Sequence, residues 1–277
     1  MQNTIRISSW NELVEQLYEE SWVPSIERFR SNFAFRGLST SSYELKTSLV
    51  RLGGDYAPLE KHLLRNFRKY AHRDVVQNDS IWNWLSVAQH HGLPTRLMDW
   101  TYSPFIAMHF ATSNIERFNE DGVIWCVDYV QAHELLPPRL RALLEQEGCN
   151  AFTVQLLTEG AESLSTFDEL ANEDFVVFFE PPSLGDRIVN QYALFSVLSN
   201  PEMYLDNWLE AHPRLFKKIV IPAELKWEIR DKLDQGNITE RVLFPGLDGL
   251  CDWLKRHYSP RSTQSGVKGT NLHRLER

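Results

Sequence analysis

Arg36 is the first residue whose type and setting indicate chemistry, because it stands inside the apolar, strand-like run Phe33–Leu38. A charged side chain in such a run costs free energy unless its guanidinium meets an anion. The planar fork of arginine suits phosphate, and the following glycine, Gly37, would let a ligand approach the backbone. We therefore predict an anion-binding site at Arg36 and Gly37. The alternative is that Arg36 pairs with an internal carboxylate.

A second polar stretch, residues 88–104, ends at a predicted helix start. The N-terminus of a helix offers free N–H groups and a positive dipole end, which suit ribose hydroxyls or phosphate. The stretch supplies several candidate binding residues: His90, Arg96, Trp100, Thr101, Tyr102 and Ser103. Its one aspartate, Asp99, is a candidate catalytic acid, and a structural pair between Asp99 and Arg96 is the alternative.

Adjacent histidines point to different faces of a chain, so His90 and His91 alone do not predict a metal site, and we predict no metal. Two later stretches are also polar. Residues 187–195 place Gln191 at the mouth of a predicted strand behind Glu180, where a turn-forming role is equally open. Residues 238–249 contain Glu240 and a Phe-Pro-Gly-Leu-Asp-Gly segment that indicates mainly a turn before the last helix.

The elements that must position these residues follow from apolar periodicity and capping residues. Ser9 with Glu12 forms a capping box before a helix, Pro58 suits a helix start, and Ser80 and Ser103 can each cap a further helix. Strands are predicted at 122–130, 175–179, 193–198 and 216–221, and two later helices at 223–235 and 247–258. Helices come first and strands dominate later, which favours an α+β fold with an N-terminal helical layer.

Composition limits the function classes. A hydrophobic share of 43% and a charged share of 24% are ordinary for a globular chain. Three cysteines without metal spacing argue against a disulfide scaffold or a structural zinc site. The start of the chain lacks a signal-peptide core, and no apolar run is long enough for a membrane helix. We therefore expect a cytoplasmic protein that does not enter membranes.

The net charge of −8 argues against a general nucleic-acid binder. Residues 259–277 are the exception, because they carry four basic residues against one acidic residue. We expect residues 1–258 to form one domain and residues 259–277 a flexible basic tail. The sequence motifs of P-loop NTPases, serine hydrolases, zinc metalloproteases and dinucleotide-binding Rossmann folds are missing.

The four polar stretches, in this order, resemble the FRG-domain family. The resemblance rests on Phe35-Arg36-Gly37, the QHxGLPTRLxDWT pattern at 89–101, the SPxxAxxF helix start at 103–110, RIxxQxxLF at 187–195 and LFPxLDGL at 243–250. These motifs extend over about residues 33–250. The family name by itself implies no reaction.

A second, weaker resemblance is to the ADP-ribosyltransferase superfamily, and it implies a split, mostly antiparallel sheet and NAD as substrate. It implies that Arg36 holds NAD phosphate or ribose, that Thr101 with Ser103 shapes the nicotinamide-ribose pocket, and that Gln191 contacts the ribose hydroxyl. Tyr43, Trp100 and Tyr102 would stack on nicotinamide. That superfamily has Glu where this chain has Gln191, so Asp99, Glu180 or Glu240 would have to oppose the developing cation.

The resemblance therefore implies an NAD-dependent ADP-ribosyltransferase that modifies nucleic acid or protein. Proteins resembling both families occur as toxins in toxin–antitoxin and phage-defence systems, which implies an antitoxin partner by analogy. Two alternatives remain open. One is a non-catalytic module in which Arg36 and Arg96 recognise a phosphorylated ligand or partner. The other is a nuclease or phosphodiesterase that uses His90, His91 and Asp99.

Overall fold

A computed structural model describes residues 3–71 and 79–261. The predicted tail therefore lies outside the described residues, except for residues 259–261. The described residues form ten strands: β1 Thr4–Arg6, β2 Trp22–Val23, β3 Arg28–Phe29, β4 Phe33–Leu38, β5 Leu97–Thr101, β6 Gly122–Asp128, β7 Phe152–Thr153, β8 Val176–Glu180, β9 Ala193–Leu198 and β10 Phe216–Ile221.

Helices account for most of the remaining described residues. They are α1 Trp10–Tyr18, α2 Tyr56–Ala71, α3 Ile81–His90, α4 Pro104–Ala111, α5 Tyr129–His133, α6 Pro138–Glu147, α7 Val154–Gly160, α8 Leu164–Asp168, α9 Asp186–Asn190, α10 Leu205–Ala211, α11 Lys226–Gln235, α12 Glu240–Leu243 and α13 Leu247–His257. Within the described ranges, no helix combines the length and the apolarity needed to cross a membrane.

Eight strands form one sheet in the order β1-β10-β6-β4-β5-β9-β8-β7, and β2 and β3 form a separate pair. Neighbours in the large sheet are antiparallel, except for the two edge pairs β1/β10 and β7/β8. The chain is thus a mixture of helices with one large, mostly antiparallel sheet, as the α+β prediction requires.

The two faces of this sheet are covered differently. On one face a single apolar cluster extends from Trp125 and Phe216 to Phe178 and is covered by α5 and α10. On the other face there are two separate clusters. One packs α1, α4 and α11 against β4, β6 and β10, and the other packs α2, α3 and α6–α8 against β5, β8 and β9. The gap between these two clusters lies where β4 meets β5.

Capping residues explain the helix starts that matter for the site. The hydroxyls of Ser9, Ser80 and Ser103 each accept a backbone N–H from the first turn of α1, α3 and α4. Gly92 follows α3 with a φ of 80°, in the left-handed region that glycine adopts at little cost. These three predicted helix starts are confirmed.

The predicted strands at 193–198 and 216–221 are confirmed with their bounds, and other bounds differ for physical reasons. The strand expected over 122–130 ends at Asp128, because the Asp128 carboxylate accepts the N–H of Gln131 and caps α5. Helix α2 begins two residues before Pro58, since any first-turn position tolerates a missing N–H. The helical layer is not only N-terminal, because α6–α8 pack in it together with α2 and α3.

Candidate functional site

A cleft opens where β4 and β5 diverge. These two strands share one paired position, Phe35 with Thr101, whereas β4 pairs along its whole length with β6 and β5 along its whole length with β9. The cleft has a volume of about 210 Å³. It is lined by Phe35, Arg36, Gly37, Gln89, His90, Asp99, Trp100, Thr101, Phe110, Arg187, Ile188, Gln191, Ala193 and Phe195.

Arg36 is the central cation of the cleft. Its Nη1 donates to the backbone carbonyl of Asp99, and its Nε is buried without a hydrogen-bond partner. Burial lowers the pKa of Arg36, the Asp99 carboxylate raises it, and the positive charge of Arg51 lowers it further. A buried donor that bonds to nothing in the protein costs free energy, which an anionic ligand would recover. The alternative in which Arg36 forms an internal ion pair is therefore wrong for the described residues.

Gly37 lines the cleft as predicted, and it also has a packing role that the sequence did not indicate. A Cβ built on Gly37 would lie 1.8 Å from the carbonyl oxygen of Ala107 and 2.7 Å from the nitrogen of Ala111. Helix α4 therefore packs directly on the backbone of β4, and any side chain at this position would displace it. The missing side chain serves helix packing first, and this packing holds Phe110 of α4 at the cleft wall.

Asp99 supplies the one carboxylate among the described residues that line the cleft. Its Oδ2 accepts a hydrogen bond from Gln89 Nε2 at 2.9 Å, and Gln89 Oε1 accepts one from Thr95 Oγ1 at 2.6 Å. The amide of Gln89 is thus fixed in the orientation that turns its donor towards Asp99. The Asp99 side chain remains exposed on its other side.

Thr101 and Gln191 meet at the inner end of the cleft. The Thr101 hydroxyl donates to the backbone carbonyl of Gln191 at 2.8 Å and accepts the N–H of Ser103 at 3.0 Å. Its only proton is therefore committed inside the protein, and Thr101 shapes the cleft without offering a donor to a ligand. Gln191 Nε2 donates to the carbonyl of Leu243 at 3.0 Å, which leaves the amide oxygen outside that bond.

The later polar segment, residues 238–249, holds Gln191 and its neighbour Asn190 through backbone carbonyls. Asn190 Nδ2 donates to the carbonyl of Val242, one residue before the carbonyl that holds Gln191. A Cβ on Gly249 would lie 1.9 Å from the carbonyl oxygen of Phe244, so α13 packs tightly on the end of α12. The structural role predicted for this segment is confirmed.

His90 and Arg187 are the other two basic residues that line the cleft. Burial lowers the pKa of His90, and the positive charges of Arg187 and His91 lower it further. Arg187 also lies over the ring of Phe244, with its guanidinium carbon 5.1 Å from the ring centre. His91 is exposed and does not line the cleft. Of the set that a nuclease would use, His90 and Asp99 line the cleft, and the ring of His91 lies 5.1 Å from that of His90.

The prediction that Arg96 binds a ligand is wrong. Its side chain is buried against two carboxylates, with Nε 2.7 Å from Glu60 Oε2 and Nη2 3.3 Å from Asp168 Oδ2, and it does not pair with Asp99. A guanidinium whose donors are occupied by carboxylates inside the protein has none for a phosphate. The partners lie far away in sequence, so the motif around Arg96 could not reveal them.

Three aromatic and hydroxyl predictions also need correction. Trp100 contributes to the cleft lining, but its indole packs in the apolar cluster on the other face of the sheet and donates to Ser196 Oγ at 2.9 Å, because neighbouring residues of β5 alternate between the two faces. Tyr102 packs against Tyr129 and Tyr192 outside the cleft. Ser103 caps α4, whose N-terminus does not line the cleft.

The remaining acids are also placed elsewhere. Glu180 accepts the hydroxyl of Tyr102 in a different cavity. Glu240 is buried and bonds to Arg256, with Oε1 2.6 Å from Nε, so it cannot reach a ligand in the cleft. Tyr43 lines a neighbouring cavity. Among the described residues, no three His, Cys, Asp or Glu side chains are grouped so that they could hold a metal ion.

Gln89 and Arg187 are cleft residues that the candidate set did not include. Both stand in the polar motifs that drew attention to this chain, and Arg187 opens the RIxxQ pattern that leads to Gln191. For Arg187, the sequence signal that could have identified it is an arginine in the same polar stretch as Gln191, four residues earlier.

Comparison with known proteins bears on the first half of the site. The family model for the FRG domain matches residues 31–120. Over these residues the chain is similar to FRG domains. The match includes β4, α3, β5 and α4, which supply Arg36, His90 and Asp99, whereas Arg187 and Gln191 lie beyond it. No curated protein and no solved structure matched the chain.

Proposed function

We propose that this chain is an NAD-dependent ADP-ribosyltransferase whose substrate lies in the cleft between β4 and β5. The observation that carries the proposal is the half-buried Arg36 side chain at the divergence of two antiparallel strands, whose buried Nε has no hydrogen-bond partner. A phosphate of NAD would satisfy that donor and balance the charge. The opening between β4 and β5 supports the split sheet that the superfamily resemblance implies.

The apolar walls suit the other part of the substrate. Phe35, Phe110 and Phe195 line the cleft on two sides and can shelter the nicotinamide ring and the reacting carbon from water. In the reaction the bond between the ribose C1′ and the nicotinamide nitrogen breaks, and its electron pair leaves with neutral nicotinamide. The acceptor's nucleophilic atom then bonds to C1′ and gives its proton to solvent or to a nearby base.

Asp99 is the acid that the geometry favours for opposing the positive charge that develops on the ribose. It is the one carboxylate among the described residues lining the cleft, and Gln89 holds it in place. A fixed negative charge near C1′ stabilises a cation-like transition state more than the ground state. Gln191 is neutral, so in this proposal its amide oxygen accepts a ribose hydroxyl, and Asp99 supplies the charge.

The acceptor of ADP-ribose remains open between nucleic acid and protein. A role as a toxin or phage-defence effector, with an antitoxin that restrains it, is compatible with an enzyme that consumes NAD. These biological settings come from the family resemblance and not from a feature of the cleft.

A labelling experiment tests the activity. The full chain is incubated with NAD labelled in its adenylate part, in separate reactions with bulk RNA, DNA and cell-extract protein, and free nicotinamide and label transfer are both recorded. We expect nicotinamide release and label in one acceptor pool. Arg36→Ala should lower the rate about a hundredfold or more, and Asp99→Asn should lower it similarly while ADP-ribose still binds. Full turnover by Arg36→Ala would refute the assignment of the phosphate-holding residue.

A non-catalytic recognition module is the second candidate, and one observation favours it. The residues nearest the inner end of the cleft offer neither a negative charge nor a free hydroxyl proton. Gln191 is neutral, and the Thr101 hydroxyl donates to a backbone carbonyl of the protein. A recognition module predicts saturable ADP-ribose binding that needs Arg36, no nicotinamide release, and tolerance of Asp99→Asn. The same experiment therefore separates the two candidates.

A further inference from the structure

A second cavity adjoins the cleft on the far side of Arg36. It has a volume of about 520 Å³ and shares Arg36, Gly37 and Phe110 with the cleft. Its other lining residues are polar or basic for the most part: Leu38, Ser39, Ser42, Tyr43, Glu44, Lys46 and Arg51. Arg36 thus stands at the boundary between two adjoining spaces, of which the first is too small for a whole dinucleotide.

Of the two basic residues that only the second cavity contains, Lys46 has an acidic partner and Arg51 does not have one among the described residues. Lys46 is neutralised by Glu44, with Nζ 2.5 Å from Oε2, and also lies over the ring of Tyr204. Arg51 has no ion pair and no side-chain hydrogen bond within the described ranges 3–71 and 79–261. Its positive charge acts on Arg36 and lowers the pKa of that guanidinium. Two cations, Arg36 and Arg51, therefore line this cavity, and neither forms an ion pair with another described residue.

The position of Arg51 is fixed by the chain around it. Arg51 belongs to a short 3-10 helix, Val50–Leu52. The two residues before this helix bond to Thr95, which lies two residues before β5: Ser48 Oγ accepts the N–H of Thr95 at 3.0 Å, and Leu49 N donates to the Thr95 carbonyl at 3.1 Å. The same Thr95 orients Gln89 in the cleft. The backbone that carries Arg51 is therefore tied to the same strand as the cleft.

We propose that the second cavity is a nucleoside-phosphate subsite, in which two linked phosphates lie between Arg36 and Arg51 and the attached nucleoside lies beside Tyr43. This inference rests on the proposed function for the identity of the ligand as NAD and specifies which part of NAD each cavity takes. The phosphate nearer to nicotinamide contacts Arg36, and the phosphate of the adenosine half contacts Arg51.

The half-exposed ring of Tyr43 offers an aromatic face for the adenine base, and the hydroxyls of Ser39 and Ser42 lie in the same cavity. Arg51 is then a specificity-determining residue that favours a ligand with two phosphates over one with a single phosphate. Nicotinamide mononucleotide has one phosphate, which would reach Arg36 alone. ADP-ribose has two and would contact both guanidinium groups.

Equilibrium binding tests this inference without requiring turnover. ADP-ribose and nicotinamide mononucleotide are titrated calorimetrically into the full chain, into Arg51→Ala and into Arg214→Ala. Arg214 is an exposed arginine that lines neither cavity and serves as the matched control. We expect Arg51→Ala to weaken ADP-ribose binding about tenfold or more, as for the loss of one charge-assisted hydrogen bond. Binding of the mononucleotide should change less than about threefold, and Arg214→Ala should leave both affinities unchanged.

The outcomes separate this inference from the proposed activity. Unchanged ADP-ribose affinity in Arg51→Ala, an equal loss for both ligands, or no ADP-ribose binding by the wild-type chain would overturn the subsite, even if NAD is turned over. The expected difference between the two ligands without nicotinamide release would support the subsite and refute the transferase. A partial recovery of ADP-ribose affinity in Arg51→Lys would support a phosphate contact, because lysine retains the charge but loses the fork.

Discussion

Arg36 and Arg96 lie on either side of the β4–β5 opening, Arg96 buried and Arg36 half-buried, and their charges are balanced in opposite ways. Arg96 stands just before β5 and bonds to Glu60 of α2 and Asp168 of α8, as well as to the carbonyl of Leu198. Arg36 stands in the middle of β4 and bonds to one backbone carbonyl. The first cation is neutralised inside the protein, and the second is not.

The difference shows what each region does. Through its bonds to Glu60 and Asp168, Arg96 connects helices α2 and α8 to the start of β5, so it stabilises the fold. The Arg36 centre leaves a buried donor without a partner, and the exposed Arg51 lines the adjoining cavity without an ion pair to another described residue. An anion that binds to both cations would stabilise the folded protein. Stability and ligand binding should therefore respond in opposite ways to substitution of the two arginines.

Leucine substitutions should give the largest difference between the two centres. Glu60 and Arg96 are each only 2% exposed, so Arg96→Leu strands a buried carboxylate and should lower the free energy of unfolding by about 3–5 kcal/mol. Arg36→Leu should lower it by less than about 1 kcal/mol, because little is left unpaired. Urea unfolding followed by circular dichroism measures both values.

A double variant controls for lost packing. Glu60→Leu combined with Arg96→Leu removes the stranded charge and should recover a large part of the stability that Arg96→Leu loses, since Asp168 is partly exposed and can remain hydrated. If Arg36→Leu proves as destabilising as Arg96→Leu, the contrast between a supporting and a binding arginine fails.

Local patterns of the sequence predicted much of the framework of this site. Cap residues and apolar periodicity indicated the starts of α1, α3 and α4, and β9 and β10 have the predicted bounds because short β-branched and aromatic runs are local signals. The cleft position of Arg36 followed from the cost of a charge inside an apolar strand. Each of these inferences needs only neighbouring residues.

The fate of Arg96 required information that no local pattern contains. Its partners, Glu60 and Asp168, are separated from it by 36 and 72 residues. The packing role of Gly37 was missed for a related reason, because a glycine beside an arginine indicates close approach but not what approaches. In this protein the approaching group is helix α4. Tertiary contacts decided both cases.

An effect of intermediate size is expected for His90, whose protonation should depend on whether an anion is bound beside Arg36. In the free protein, burial and the charge of Arg187 hold the pKa of His90 below its ordinary value of 6.5, so the ring is neutral at pH 7. An anion bound beside it favours the protonated ring and raises the pKa, by about one unit or 1.36 kcal/mol. By linkage, affinity for ADP-ribose must then increase as pH falls through the interval between the free and the bound pKa.

NMR titration of the histidine ring protons with and without ADP-ribose checks this expectation. In His90→Gln the increase in affinity at low pH should be absent. An unchanged pKa of His90 in the presence of saturating ADP-ribose would place the anion away from this wall of the cleft.

The smallest effect is expected for Thr101, a cleft residue whose side chain, like that of Arg96, bonds within the protein and should therefore affect stability more than ligand binding. Thr101 lies in the cleft, but its hydroxyl bridges the Gln191 carbonyl and the N–H of Ser103. Thr101→Val keeps the shape and removes both bonds, so it should lower the free energy of unfolding by about 1 kcal/mol, and Thr101→Ser should restore most of this loss. ADP-ribose affinity should change less than about threefold, because the hydroxyl has no proton for a ligand. A tenfold loss of affinity in Thr101→Val with unchanged stability would show instead that this hydroxyl leaves its protein partners and binds the ligand.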